Sequence, residues 1–319
     1  MDKNSAPVLY IVVPCYNEEE ALPFSSKRLA ELLNDLTQKG LVKSESRIAL
    51  VDDGSKDATW EVISGLHAQD ARFEGVKLAH NAGHMNALWA GMTMVQDKCD
   101  CLVTIDADLQ DDVNAIYGFL ENYRAGADVV YGVRSNREID TKFKRATAQG
   151  FYKMMKLMGV ETVYNHADYR LLSQRAAKAL LGFGEVNMFL RGMVPMLGFK
   201  TAQVYYERGA RVAGESKYPL KKMIALAVDG VTSFSNKPIR YVTATGFLCA
   251  LLGLVMAVYA VVSRATGHSV QGWASLMMSV WLIGGIQLIA MGMIGEYIGK
   301  IYMEVKRRPK FILDEYLHE

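Results

Sequence analysis

Two uncharged apolar runs near the C-terminus restrict the possible folds of this 319-residue chain more than any other feature. No charged side chain occurs in residues 241–263 or in residues 273–295. Each run is long enough to cross a bilayer, which takes ~20 apolar residues in a helix. One such run could be a buried helix of a soluble protein, but two in succession favour a membrane hairpin.

Basic residues next to the two runs predict the orientation of this hairpin. The loop between the runs, RATGHSVQG, contains Arg264 as its only permanently charged residue. The flanking basic residues are Lys237 and Arg240 before the first run, and Lys300, Lys306, Arg307, Arg308 and Lys310 after the second. Because basic residues concentrate on the cytoplasmic side of a membrane, we expect a multi-pass protein of the plasma (inner) membrane with both termini in the cytoplasm.

The segment YPLKKMIALAVDGVTSFSNKP, just before the first run, has an amphipathic helical pattern. Pro219 suits a helix start, and Leu220, Met223, Ile224 and Val231 share one face. Beside a membrane span, this pattern indicates a helix lying on the membrane surface. We therefore expect a cytoplasmic domain of residues 1–215, a juxtamembrane amphipathic helix of residues 216–237, two transmembrane helices within residues 238–299 and a basic cytoplasmic tail of residues 300–319.

Strand and helix patterns alternate through the N-terminal part of the chain. VLYIVVP, RIALVDDGS, GVKLAH, DCLVTIDADLQDD and ADVVYGVRSN contain apolar strand runs, and helical patterns separate them. Such alternation predicts parallel βαβ units in a doubly wound α/β sheet. Ligands of these sheets bind at the carboxyl ends of the strands, where the segments PCYNE, DDGS and DADLQDD fall.

Four carboxylates crowd the acidic segment that follows the strand CLVTI. Asp112 suits the cap of the next helix, whereas Asp106 and Asp108 come too early for capping. Their two carboxylates can turn toward one point and form a hard oxygen site for Mg²⁺ or Mn²⁺. A cation held there could stabilise a leaving diphosphate. Asp52 and Asp53 end an earlier strand, where they could accept hydrogen bonds from a nucleotide or form part of a glycine turn.

Several classes of function are disfavoured by composition and motifs. The net charge of +2 is too small to indicate nucleic acid as a partner. The four cysteines match the spacing of neither a zinc site nor a disulfide framework. No G-x-G-x-x-G follows the first strand and no Walker lysine motif is present, which argues against a dinucleotide or P-loop site.

Six segments in order carry a resemblance to a known family: VVPCYNEEE, VDDGSKDAT, NAGHMNALWAG, DADLQD, DYRLLSQRA and GESKYPLKKMI. Together they resemble family 2 glycosyltransferases of the GT-A fold, a Rossmann-like nucleotide-diphospho-sugar transferase fold. More narrowly, they are similar to the polyisoprenyl-phosphate glycosyltransferases, which include bactoprenol glucosyltransferases and dolichyl-phosphate mannose synthase. The resemblance covers nearly the whole chain. The sequence departs from these relatives after DLQD, where DVNAI replaces their usual prolines and glutamate.

The resemblance implies a role for each matching residue. Asp108, Asp168 and Arg170 would be catalytic, with Asp168 orienting the reactants. Arg134 and Arg145 would bind the phosphate of the lipid acceptor. Asp106, Asp108 and Gln110 would surround the Mg²⁺ or Mn²⁺ ion. The nucleotide sugar would contact Pro14, Tyr16, Glu18, Asp52, Asp53, Asp106, Arg211, Ser216 and Lys217.

The implied reaction transfers a sugar from a nucleotide diphosphate, by default UDP-glucose or another UDP-sugar, to a polyisoprenyl phosphate such as undecaprenyl phosphate, with inversion. We also expect several copies of the chain to associate.

Two other functions are open from the sequence. A membrane polysaccharide synthase would need more than two spans per chain. A non-catalytic nucleotide-sugar-binding subunit of a lipid-sugar transport system would have no use for the acidic tip.

Overall fold

The computed structural model describes residues 5–135, 166–186, 190–207, 237–266 and 272–318. The described residues belong to two compact units. The first unit contains those up to position 207 and those from Arg308 onward, and the second contains two long C-terminal helices.

The described part of the first unit contains a mixed sheet of eight strands, in the order β7-β5-β6-β4-β1-β2-β3-β8. The strands are β1 (Leu9–Cys15), β2 (Arg47–Asp52), β3 (Phe73–Leu78), β4 (Cys101–Thr104), β5 (Val129–Arg134), β6 (His166–Ser173), β7 (Thr201–Tyr206) and β8 (Leu313–Leu317). Every residue of β1 and β4 is buried. Burial on both faces explains why these strands are continuous apolar runs without alternation.

The pairing of the strands combines two patterns. The strands β1, β2, β3 and β4 pair in parallel, as the alternating sequence pattern predicts. By contrast, β6 runs antiparallel to both β4 and β5, and β8 runs antiparallel to β3. The sheet is therefore the mixed, Rossmann-like sheet of the GT-A fold, which confirms the predicted fold class.

Among the described residues, six helices accompany this sheet, and their apolar faces supply the rest of the core. They are α1 (Leu22–Gln38), α2 (Thr59–Gln69), α3 (His84–Val95), α4 (Ala115–Arg124), α5 (Gln174–Leu181) and α6 (Leu190–Met196). The predicted inner face of α4 is confirmed, since Ile116, Phe119, Leu120 and Tyr123 are all buried. Helix α3 lies so close to the sheet that a Cβ atom on Gly91 would come within 2.4 Å of Val12 Cγ1.

The C-terminal strand β8 belongs to this sheet although it follows the two long helices in sequence. Its Tyr316 hydroxyl donates to Glu74 Oε2 at 2.5 Å and accepts from Lys98 Nζ at 2.6 Å. Glu74 lies in β3, is 5% exposed, and also accepts from the Tyr10 hydroxyl at 2.9 Å. This strand was not predicted from the sequence, which indicated only a basic tail for residues 300–319.

The second unit contains α7 (Lys237–Ala265) and α8 (Trp273–Lys306). Both helices are long and apolar enough to cross a membrane. Their apolar side chains are exposed, for example Leu248 at 56%, Leu254 at 64% and Leu282 at 63%. A core helix of a soluble protein would bury such side chains, so the exposure favours contact with lipid. The predicted amphipathic helix falls, apart from Lys237, outside the described residues.

Candidate active site

The carboxyl ends of β1, β2 and β4 and the start of α3 surround a cleft of about 340 Å³. These three strands are parallel neighbours, so their carboxyl ends lie at one edge of the sheet. The predicted site residues that line the cleft are Pro14, Tyr16, Glu18, Asp53, Asp106 and Asp108. Its other lining residues are Cys15, Asn81, Gly83, His84, Ala87 and Ala107. The fold thus brings four separate sequence segments to one place.

Backbone hydrogen bonds tie the loop after β1 to the loop after β2. Asn17 adopts the left-handed conformation, with φ 53°. Its backbone N–H donates to Ser55 Oγ at 3.0 Å, and its side-chain Oδ1 accepts from the Lys56 N–H at 2.9 Å. Next to it, Tyr16 is 40% exposed. These bonds hold an open aromatic side chain at the rim of the cleft, where it could contact a nucleotide base.

Asp53 connects β2 to the segment before α3. Its Oδ1 accepts from the Ala82 N–H at 2.7 Å and its Oδ2 from the Gly83 N–H at 3.0 Å. Burial raises the pKa of this carboxyl, and the two backbone donors act in the opposite direction. Asp53 therefore shapes one wall of the cleft, in addition to any contact it makes with a ligand.

Asp52 and Gly54 form the turn beside Asp53. Asp52 is 1% exposed, its Oδ1 accepts from the Ser55 N–H at 3.1 Å, and burial raises its pKa. Gly54 has φ 63°, and a Cβ atom there would lie 2.5 Å from the backbone nitrogen of Asn81. Of the two acids, only Asp53 lines the cleft, and the glycine allows the backbone at Asn81 to approach.

The acidic loop after β4 presents Asp106 and Asp108 to the cleft. Leu109 is left-handed, with φ 42°, an uncommon conformation for a non-glycine residue. The Gln110 N–H donates to Asp108 Oδ1 at 3.3 Å. Gln110 itself is 4% exposed and lines a neighbouring cavity of about 360 Å³, together with Asp111 and Asp112. Asp106 and Asp108 thus line the cleft, and Gln110 lines the cavity beside it.

The charge around Asp106 bears on whether this loop could hold a cation. Burial raises the pKa of Asp106; His84 lowers it, and Asp168, Asp111 and Asp108 raise it further. His84 Nε2 lies 3.6 Å from Asp106 Oδ1. Within the described part of the chain, no three acidic, histidine or cysteine side chains converge as an all-protein metal site requires.

Two carboxylates facing a cleft nevertheless fit a Mg²⁺ or Mn²⁺ ion. Mg²⁺ is usually held by one or two carboxylates, and waters and substrate phosphates complete its coordination. The residues that fit are Asp106 and Asp108, which line the same cleft. A cation between them would also offset the carboxylate repulsion that helps to raise the pKa of Asp106.

Asp168 and Arg170 form a buried ion pair on β6. Arg170 Nη2 lies 2.5 Å from Asp168 Oδ1, and the two side chains are 2% and 8% exposed. A second arginine, Arg191 at the start of α6, donates through Nη2 to Asp168 Oδ2 at 2.9 Å. Burial alone would raise the pKa of Asp168, but Arg191 and Arg170 hold it well below its usual range. Because a lowered pKa leaves the carboxylate with little affinity for a proton, Asp168 suits an orienting role better than that of a general base.

Arg134 ends β5 and is paired with an acid of the same loop that carries Asp106. Its Nε donates to Asp111 Oδ1 at 3.1 Å and its Nη2 to Asp111 Oδ2 at 3.3 Å. Asp111 is 3% exposed, and Arg134 is 25% exposed. The pair fixes the guanidinium at the carboxyl end of β5. Arg145, Arg211, Ser216 and Lys217 lie outside the described residues.

No role was predicted from the sequence for Asn81, His84 or Arg191. His84 and Asn81 lie within or beside the quoted segment NAGHMNALWAG, so a helix start after a strand could have indicated them. No local pattern indicates Arg191, because its partner Asp168 is 23 positions away.

Comparisons with known proteins agree with this architecture. Residues 10–181 match the model of glycosyl transferase family 2, and residues 237–301 match the GtrB C-terminal hairpin. The chain is 49% identical to the uncharacterized glycosyltransferase YkoT of Bacillus subtilis, over 98% of this chain and 93% of that protein. It is 37% identical to the bactoprenol glucosyl transferase of Shigella phage SfII, over 95% and 96% of the two chains. The mannosyltransferase PcManGT from Pyrobaculum calidifontis, solved with GDP-Man and Mn2+, is 14% identical over 95% and 88% of the two chains, with a TM-score of 0.47.

Proposed function

This chain belongs to glycosyltransferase family 2, and on that premise we propose that it transfers a sugar from a nucleotide diphosphate to a polyisoprenyl phosphate. The observation that carries the proposal is the similarity to bactoprenol glucosyl transferases over nearly the whole chain. That similarity includes the C-terminal hairpin, a part that a transferase acting on a soluble acceptor would not need. A UDP-sugar as donor and undecaprenyl phosphate as acceptor complete the proposal.

The cleft supports a nucleotide-sugar site at the ends of β1, β2 and β4. Tyr16 and Asp53 line the part that would receive the nucleoside, and Asp106 and Asp108 line the part that would receive the diphosphate. Asp106 and Asp108 would hold the divalent ion, which would neutralise charge on the departing nucleoside diphosphate. Arg134, at the end of β5, and Arg145 would bind the acceptor phosphate.

The reaction needs little acid–base chemistry from the protein. An oxygen of the acceptor phosphate is already anionic near neutral pH, so it attacks the anomeric carbon without losing a proton first. The new carbon–oxygen bond forms as the bond to the nucleoside diphosphate breaks, which inverts the configuration. Asp168, which Arg170 and Arg191 keep ionised, would orient the reactants rather than accept a proton.

The hairpin would keep the site at the membrane surface, where the acceptor phosphate lies. The basic residues around α7 and α8 support a multi-pass topology with both termini in the cytoplasm. A cysteine placed at Ser269 should then react with an impermeant reagent from outside intact cells, and one at Ser216 should not. The opposite labelling would overturn this topology.

The decisive experiment incubates membranes that contain the protein with undecaprenyl phosphate and a panel of labelled nucleotide sugars. We expect label from one donor to enter a lipid whose sugar is released by mild acid. Label that appears only in polymer, or in no lipid with any donor, would overturn the proposal.

A matched pair of variants tests the metal-binding acids. Asp108 lines the cleft, whereas Asp112 is exposed and lies four positions later in the same loop. EDTA should abolish transfer, Mg²⁺ or Mn²⁺ should restore it, and Asp108→Asn should lose transfer while folding normally. Asp112→Asn should retain it. Full activity of Asp108→Asn would contradict the assignment.

A further inference from the structure

Arg191 is one of two arginines paired with Asp168, and it helps to keep that carboxylate ionised. We propose that Arg191 binds a phosphate group of a substrate, either in the donor diphosphate or in the acceptor phosphate. This inference rests on the proposed function and adds a binding residue to its site.

The balance of charge around Asp168 is the first argument. Arg170 is 2% exposed and already neutralises Asp168, which is 8% exposed. Arg191 places a second guanidinium on the same carboxylate. Arg191 and Arg170 repel each other, which lowers the pKa of Arg170 in the same direction as its burial does. This repulsion disfavours two neighbouring guanidiniums, and an anionic ligand beside Arg191 would offset it.

Exposure distinguishes the two arginines. The Arg191 side chain is 36% exposed, so it can reach solvent and a ligand, whereas Arg170 cannot. Arg191 contacts Asp168 through Nη2 at 2.9 Å and Nε at 3.5 Å. A guanidinium is a planar fork of five N–H donors, which can pair with a carboxylate along one edge and donate to a phosphate from another.

The register of the sheet places this cluster next to the acidic loop. On the antiparallel pair β4 and β6, Thr104 lies opposite Arg170, and the Thr104 hydroxyl donates to the Asp168 carbonyl at 2.5 Å. Continuing this register by two residues brings Asp168 level with Asp106. Consistent with that position, Asp168 and Asp106 are close enough to affect each other's charge.

Buried Arg170 also anchors the backbone from which Arg191 extends. Its Nη1 donates to the Leu190 carbonyl at 3.4 Å, directly before Arg191 in sequence. Arg170 therefore holds both the start of α6 and the Asp168 carboxylate, which is the partner of Arg191. Arg191 is held beside the predicted position of the diphosphate, where a cation would counter negative charge on a phosphate.

A comparable arginine elsewhere in the sheet provides the control. Arg175, in α5, donates through Nε to Asp128 Oδ1 at 2.8 Å and through Nη2 to Asp128 Oδ2. Asp128 is 0% exposed and Arg175 is 65% exposed. This pair lies at the other end of β6, away from the cleft, because Ser173 there pairs with Cys101 at the start of β4.

The experiment uses the full chain in nanodiscs and the variants Arg191→Gln, Arg191→Lys and Arg175→Gln. One arm measures binding of UDP, GDP, CDP and ADP with Mg²⁺, without lipid acceptor. The other measures the KM for undecaprenyl phosphate at saturating donor. Loss of a charge-assisted hydrogen bond should weaken one of these by about 10- to 100-fold in Arg191→Gln. A change in the first arm identifies the donor diphosphate, and a change in the second identifies the acceptor phosphate.

Arg191→Lys should show a smaller loss, of about 3- to 10-fold, because lysine keeps the charge but not the planar fork. Arg175→Gln should leave both constants within about twofold of wild type. The inference is overturned if both constants of Arg191→Gln stay within that range, or if Arg175→Gln changes them equally. If Arg191→Gln does not fold, unchanged constants in Arg191→Lys overturn it. Failure of the wild-type protein itself to bind any nucleotide or transfer sugar would instead refute the proposed function.

Discussion

Replacement of Gly54 by alanine tests whether the turn after β2 builds the wall of the cleft. Gly54 has φ 63°, and an added Cβ atom would lie 2.5 Å from both the Asn81 nitrogen and the His80 carbonyl carbon. These neighbours are backbone atoms, so they cannot rotate away as a flexible side chain would. The segment that contains them must shift, and with it Asn81 and Gly83, which line the cleft.

Gly40 provides a control with the same backbone conformation and different surroundings. Its φ is also 63°, but a Cβ atom there would meet nothing within 4 Å. Gly40→Ala should therefore cost only the strain of a left-handed alanine, ~1–2 kcal/mol. Gly54→Ala should cost that strain and a further ~1–3 kcal/mol for overpacking.

Thermal unfolding of the two variants measures the difference. For a domain of this size, ~1 kcal/mol lowers Tm by about 2–4 °C, so Gly54→Ala should unfold about 2–12 °C below Gly40→Ala. Binding of a nucleoside diphosphate should weaken in Gly54→Ala and stay at the wild-type level in Gly40→Ala. Equal Tm values with unchanged binding in both variants would refute the argument that Gly54 is required by the approach of the Asn81 backbone.

Two further predictions concern Tyr316 and Asp168. Tyr316→Phe removes a hydroxyl bonded to buried Glu74. It should cost ~1.5–3 kcal/mol of folding stability, seen as a fall in Tm of about 3–12 °C. Tyr205→Phe, at a 65% exposed position, should change stability by less than ~0.5 kcal/mol, and equal effects of the two variants would show that β8 does not stabilise the sheet. The pKa of Asp168 is held below its usual range, so its contribution to stability is fully present above the pKa of an unfolded aspartate, ~3.9, and is lost only as pH falls through the lower folded value. The difference in Tm between wild type and Asp168→Asn should thus not shrink between pH 8 and pH 5, and a difference that shrinks toward pH 5 would contradict the double arginine pairing.

The sequence by itself determined the features that depend on local patterns. The four parallel strands at the centre are apolar runs between helical segments, and their polar residues follow at the carboxyl ends. When helices connect parallel strands, the carboxyl ends of the strands lie on one edge of the sheet. The order of strands and helices in the sequence therefore placed Tyr16, Asp53, Asp106 and Asp108 around one cleft. The two uncharged runs likewise identified both long apolar helices, because a membrane span is a matter of length and composition.

Only the tertiary structure decided which residues meet across long sequence separations. Strand β8 pairs with β3, so that Tyr316 reaches Glu74 over 242 positions, and no periodicity within either segment indicates that pairing. Gln110 lines a neighbouring cavity, whereas Asp106 and Asp108 line the cleft, although all three stand in one motif. Arg191 meets Asp168 because Arg170, the buried arginine of β6, anchors the start of α6. The strand β6 itself runs antiparallel to β4. These contacts depend on strand direction and packing, which short-range sequence patterns do not encode.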